Sequence, residues 1–199
     1  MAATVTIRQA YGGSDGSPGS ESSDLTSAST RLQTQDTFAP TDETSPIPIP
    51  TSGFKYSYWI HVYLKIETAP SVKINNIRHY SDGTIGWNYG TSGELRRGNR
   101  DAGDKGCPMD TEYDLATGTP QDTGDEIENV TTGHGYYNAQ TTKTANIASD
   151  TVGSPATIDS TDHTTTGKSK AIVMQVKVDT DASPGEQTDE PLTWKYDEI

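Results

Sequence analysis

The chain holds four histidines, His61, His79, His134 and His163, one cysteine, Cys107, and a run of carboxylates at Asp122, Asp125, Glu126 and Glu128. Zinc sites draw on neutral imidazoles and thiolates, usually with two ligands a few residues apart. No pair of these histidines has a local ligand spacing such as His-x-x-x-His, so the sequence points to no metal site and no cofactor. On strands, His61 and His79 could meet across neighbours, but a histidine that simply hydrogen-bonds is the plainer reading. Cys107 sits in Gly106-Cys107-Pro108 without an identifiable base and reads as incidental. Gly-x-Ser-x-Gly is absent, the acidic run lacks the order of a calcium loop and reads as solvated, and no pair of acids is singled out for glycoside hydrolysis. The expectation is a non-enzymatic protein.

Aromatic residues are the other chemical resource. Trp59, Tyr63, Trp87 and Tyr89 form a candidate interaction surface, because flat rings on a sheet face grip sugars or pack against a second sheet or subunit. Asn129-Val130-Thr131 matches a glycosylation acceptor, a motif short enough to arise by chance.

The elements that must position these residues are strands. Phe54, Tyr56, Tyr58, Ile60, Val62, Leu64 and Ile66 alternate with Lys55, Ser57, Trp59, His61, Tyr63, Lys65 and Glu67, a two-residue period that predicts a long strand. Its length makes a bulge or bend expected. A second strand is predicted through Ile74 and Ile77 to Tyr80, with an irregularity at Asn75-Asn76 and a turn at Ser81-Asp82-Gly83; Thr84 to Tyr89 suits a return strand. Ile172, Met174, Val176 and Val178 share one face of another strand, and Leu192, Trp194 and Tyr196 alternate in the last, with Asp181 to Gly185 as the intervening turn. No segment carries a sustained helical stripe. The fold expected is all-β, an antiparallel β-sandwich of jelly-roll-like or Ig-like type with long irregular loops.

Around this core, residues 1–53 read as an extended N-terminal arm and Pro-rich strap packed on it. Thr4 to Gln9 alternates like a strand, Gly12 to Thr30 is too poor in apolar residues to order itself, and Ala39 to Pro50 is an extended strap anchored by Ile47 and Ile49. Residues 54–199 read as the sandwich domain, with a loop-rich excursion at 90–168 that must hide short strands. A net charge of −13 disfavours nucleic acid and anionic membranes and suits either solubility or high salt. The single cysteine excludes an internal disulfide, and neither a signal peptide nor an apolar run of about 18 residues is visible.

Two stretches resemble a known class. The long strand with Ala69-Pro70-Ser71 and Ile74 to Gly83, together with Asp181-Ala182-Ser183-Pro184-Gly185 and Leu192 to Ile199, is similar to small β-rich virion structural proteins of tailed viruses, and the acidity suggests a virus of halophilic archaea. The resemblance implies a capsid decoration or neck component, located in the virion, partnered by other virion proteins and forming a homo-oligomer. A carbohydrate- or receptor-binding sandwich is the alternative.

Overall fold

The computed structural model describes residues 2–38, 40 and 45–199. The strap expected from Ala39 to Pro50 therefore lies partly outside the described residues; its end, 45–50, joins no strand, and Ile47 packs on the core.

The strands, in chain order, are β1 (Thr4–Ser14), β2 (Ser17–Glu21), β3 (Lys55–Tyr56), β4 (Ile60–Thr68), β5 (Ile74–Tyr80), β6 (Glu94–Gly98), β7 (Gly118–Thr119), β8 (Thr123–Gly124), β9 (Thr144–Asn146), β10 (Ala156–Asp159), β11 (Gly167–Val178) and β12 (Thr193–Glu198). The main sheet runs β2-β1-β4-β11-β6-β9, with β3 also on β11, and a smaller sheet runs β10-β5-β12. All recorded pairings are antiparallel, giving the all-β sandwich that alternation predicts. Among the described residues no helix is long and apolar enough to cross a membrane.

The two sequence stretches with the clearest alternation each give one strand to each sheet. β4 pairs with β11 in the main sheet and β5 pairs with β12 in the smaller one. The expected C-terminal pair is thus corrected: β11 and β12 are in different sheets, and the segment between them crosses the sandwich instead of closing a hairpin. Ile60, Val62, Ile172, Met174, Val176, Ala156 and Ile158 fill the space between the sheets, continued by Leu64, Ile66, Ile74 and Ile77.

The long strand is interrupted at Ser57–Trp59. The pairs Tyr56–Lys177 and Ile60–Met174 are one residue out of step, so a bulge separates β3 from β4. Asn76 takes a positive φ of 53° at the expected irregularity, and Gly83 at 95° closes the expected turn. Thr84–Tyr89 pairs with no strand; its groups bond instead to Gln187, Thr188 and Glu190.

Two loop readings are also corrected. Residues 12–30 are ordered by backbone pairing: β1 runs to Ser14, turns back as β2, and Leu25 N–H then donates to Ile7 O. Main-chain hydrogen bonds do here what apolar side chains do not. The 90–168 excursion supplies β6 and β9 to the main sheet and β10 to the smaller one, while residues 99–143 cover the outer face of the main sheet as a third, irregular layer.

Candidate metal centre

Strand geometry puts His61 and Tyr63 on the face of β4 turned away from the smaller sheet, with Trp59 just before the strand, and Ala171, Val173 and Gln175 on the same face of β11. His61 lies opposite Val173 and Tyr63 opposite Ala171. The covering layer reaches this face through Cys107, whose N–H donates to Ala171 O at 2.8 Å while Ala171 N–H donates to Cys107 O at 2.9 Å. A turn-rich segment delivers His134, held by its own N–H to Ile127 O at 3.2 Å.

His61, Cys107 and His134 thereby converge. Their ligand atoms all lie within 4.8 Å of one another, all three residues are buried, and the two Nε2 atoms are 3.0 Å apart. Tyr113 tilts over His61 with ring centres 4.5 Å apart, and Trp59 and Tyr137 flank His134 at 5.7 and 4.9 Å. Burial lowers the His134 pKa to about 3, and burial with the neighbouring His134 drives His61 well below its ordinary value, so both imidazoles are neutral. Burial first, then the charges of Glu112 and Asp114, push the Cys107 thiol up.

That thiol is no activated nucleophile. It donates to Glu112 O at 3.0 Å rather than to an imidazole. Tyr136 N–H donates to His134 Nδ1 at 3.3 Å, which places the proton of neutral His134 on Nε2, directed at His61 Nε2. Asp114 approaches the same Nδ1 at 3.8 Å and accepts from Gly135 N–H. Its carboxyl is raised by burial and by nearby Asp15, against the pull of the Gly135 N–H. Asp15 and Asp114 line two adjoining open depressions of about 440 and 350 Å³ above this spot. What the arrangement can do chemically is ligate: two imidazoles and a thiol suit a borderline or soft cation and not calcium or magnesium.

The sequence reading found no ligand set; the fold brings three candidate ligands together that it did not connect. His61 meets His134, not His79, which lies in the smaller sheet against Trp194. The ligands come from positions 61, 107 and 134, a separation that leaves no local spacing to detect.

The aromatic surface is corrected as well. Trp59 and Tyr63 are 1% and 0% exposed within the chain. Trp59 Nε1 donates to Asp114 O at 2.8 Å, spending its polar edge internally. Trp87 and Tyr89 are half-buried against the core between the sheets, and Trp87 Nε1 donates to Thr188 O at 2.6 Å. The four rings form no common surface. The acidic run is engaged rather than merely solvated: Asp122 pairs with Lys55, Glu126 and Glu128 approach buried Arg96, and Asp125 accepts from Thr117 Oγ1. Asn129 Oδ1 accepts from the N–H groups of Thr131 and Thr132.

No family model, curated protein or solved structure matches this chain.

Proposed function

We propose that the chain is a non-enzymatic structural protein of a tailed-virus particle, seated on the capsid exterior or at the head–tail neck through its β-sandwich. Its partners in this reading are other virion proteins and further copies of itself, and a halophilic host accounts for the excess of 28 acidic over 15 basic residues.

The observation that carries the reading is the open outer edge of β12. In the smaller sheet β5 is flanked by β10 and β12, and the far side of β10 is covered, since Lys105 and Gly106 donate to Thr157 O and Ile158 O. Among the described residues β12 has no strand on its far side. Lys195, Asp197 and Glu198 stand along it, and exposed Val72 and Ile199 sit together at its end, joined by the Val72 N–H to Ile199 O bond. An unpaired edge guarded by charges resists indiscriminate stacking while leaving room for a matched neighbour strand. Either of two aromatic rows would serve a carbohydrate-binding reading, and burial of Trp59 and Tyr63 removes one of them.

The test is proteomic and genomic. The chain should co-purify with intact particles in fixed ratio to the major capsid protein, from a gene beside those for portal and tail components. Absence from purified particles, or a metabolic gene neighbourhood, would overturn the reading.

A further inference from the structure

We propose that His61 Nε2, His134 Nε2 and Cys107 Sγ bind one zinc ion that clamps the irregular outer layer onto the main sheet. The inference goes beyond the assembly reading and does not rest on it.

Convergence carries the argument. Three donor atoms from three remote parts of the chain meet in a buried site, one on a central strand and two on the layer that covers it. Two nitrogens bound tetrahedrally to zinc are about 3.3 Å apart, and a nitrogen and a sulfur about 3.6 Å. The observed Nε2 to Nε2 separation of 3.0 Å is close to the first value, and the ligand atoms of the three residues lie within 4.8 Å of one another.

The surroundings fit the same role. A metal on His134 Nε2 requires its proton on Nδ1, which gives up the bond that Tyr136 N–H donates there; the Asp114 carboxylate, 3.8 Å from that atom, has to close in to accept the proton and orient the ligating imidazole. Binding releases the Cys107 proton and moves the His134 proton from Nε2 to Nδ1, so the site gains M²⁺ and loses one H⁺. Three protein ligands leave one tetrahedral position for a small exogenous ligand. The layer that zinc would hold down is built from turns and has few strands of its own, so a cross-link there stabilises what backbone pairing does not.

The experiment uses the full chain. After loading and gel filtration, elemental analysis should return one zinc per chain, Co²⁺ in its place should give thiolate-to-cobalt charge-transfer absorption, and a chelator should lower the Tm until zinc is restored. Cys107→Ser should abolish the absorption. Asp114→Asn should weaken zinc binding by ~10–100-fold, while His163→Gln, outside the site, should leave it unchanged. The proposal is overturned if the unsubstituted chain gives no charge-transfer band and a Tm indifferent to zinc and chelator. It is equally overturned if a Cys107→Ser/His134→Gln chain retains zinc with the same stoichiometry and affinity.

Discussion

Cys107 and Ala171 form a two-way backbone bridge, N–H to O at 2.8 and 2.9 Å, on the edge of β11 beyond the last pairing with β6. That one contact stitches the outer layer to the central strand. It also seals the only thiol of the chain, which is fully buried and raised in pKa by burial, then by Glu112 and Asp114. A thiol reagent added to native protein should therefore label Cys107 no faster than the chain opens, and at full speed in denaturant. Prompt labelling of the native state would contradict the sealed outer layer.

The guanidinium of Arg97 holds the Asp150 carboxylate with two hydrogen bonds, 2.5 and 2.8 Å, both groups almost fully buried. Removing one partner leaves a buried charge, so Asp150→Asn should cost about 3–5 kcal/mol. Replacing both as Arg97→Met/Asp150→Leu should cost less than the single change. Urea unfolding of the three proteins measures both values, and a double variant weaker than the single one would refute the argument.

At Gly98 an added Cβ would run into the Tyr137 ring, whereas at Gly167 it would meet nothing within 4 Å. Gly98→Ala should destabilise by about 1–3 kcal/mol through overpacking. Gly167→Ala should gain about 0.4–1 kcal/mol by restricting the unfolded chain. Thermal unfolding that ranks the two alike would show that Tyr137 does not pack as described.

His79 is fully buried, its two ring nitrogens have no hydrogen-bond partner among the described residues, and burial with the Arg97 charge lowers its pKa to about 3. The unfolded value is about 6.5. The unfolded chain therefore binds the extra proton between these values. The stability His79 allows is fully present above pH 6.5 and falls by about 1.4 kcal/mol per unit as pH drops towards 3. His79→Leu should lose about 2 kcal/mol less than the parent between pH 6.5 and 5. Parallel stability curves for the two proteins would reject this.

The acidic excess predicts a salt response. With a net charge of −13, self-repulsion opposes the compact state and is screened as ionic strength rises. Circular dichroism should show loss of structure on dialysis from molar to low salt. A spectrum and a Tm that ignore salt would remove the halophilic reading.

The sandwich was legible because its core strands carry Ile60, Val62, Leu64 and Ile66 or Ile172, Met174, Val176 and Val178 at strict alternation. The opposite face was harder to read: Trp59, His61 and Tyr63 have polar tips, and only the outer layer explains their burial. β6 was invisible for a related reason. Arg96 and Arg97 look like solvent-facing residues, yet they are buried: Glu126 and Gln175 accept from the two terminal nitrogens of Arg96, and Asp150 holds Arg97 with two bonds. β2 has no apolar pattern and is defined by pairing to β1 alone. The cluster of His61, Cys107 and His134 depends on contacts across 46 and 27 residues, so only the folded chain brings it together.

The most direct measurement is a cryo-electron microscopy map of the native particle. The account predicts density for a two-sheet sandwich with a third irregular layer, on the capsid exterior or at the neck, with a neighbouring protein seated along the outer edge of β12. A well-resolved map in which no surface or neck density accepts this fold would contradict it.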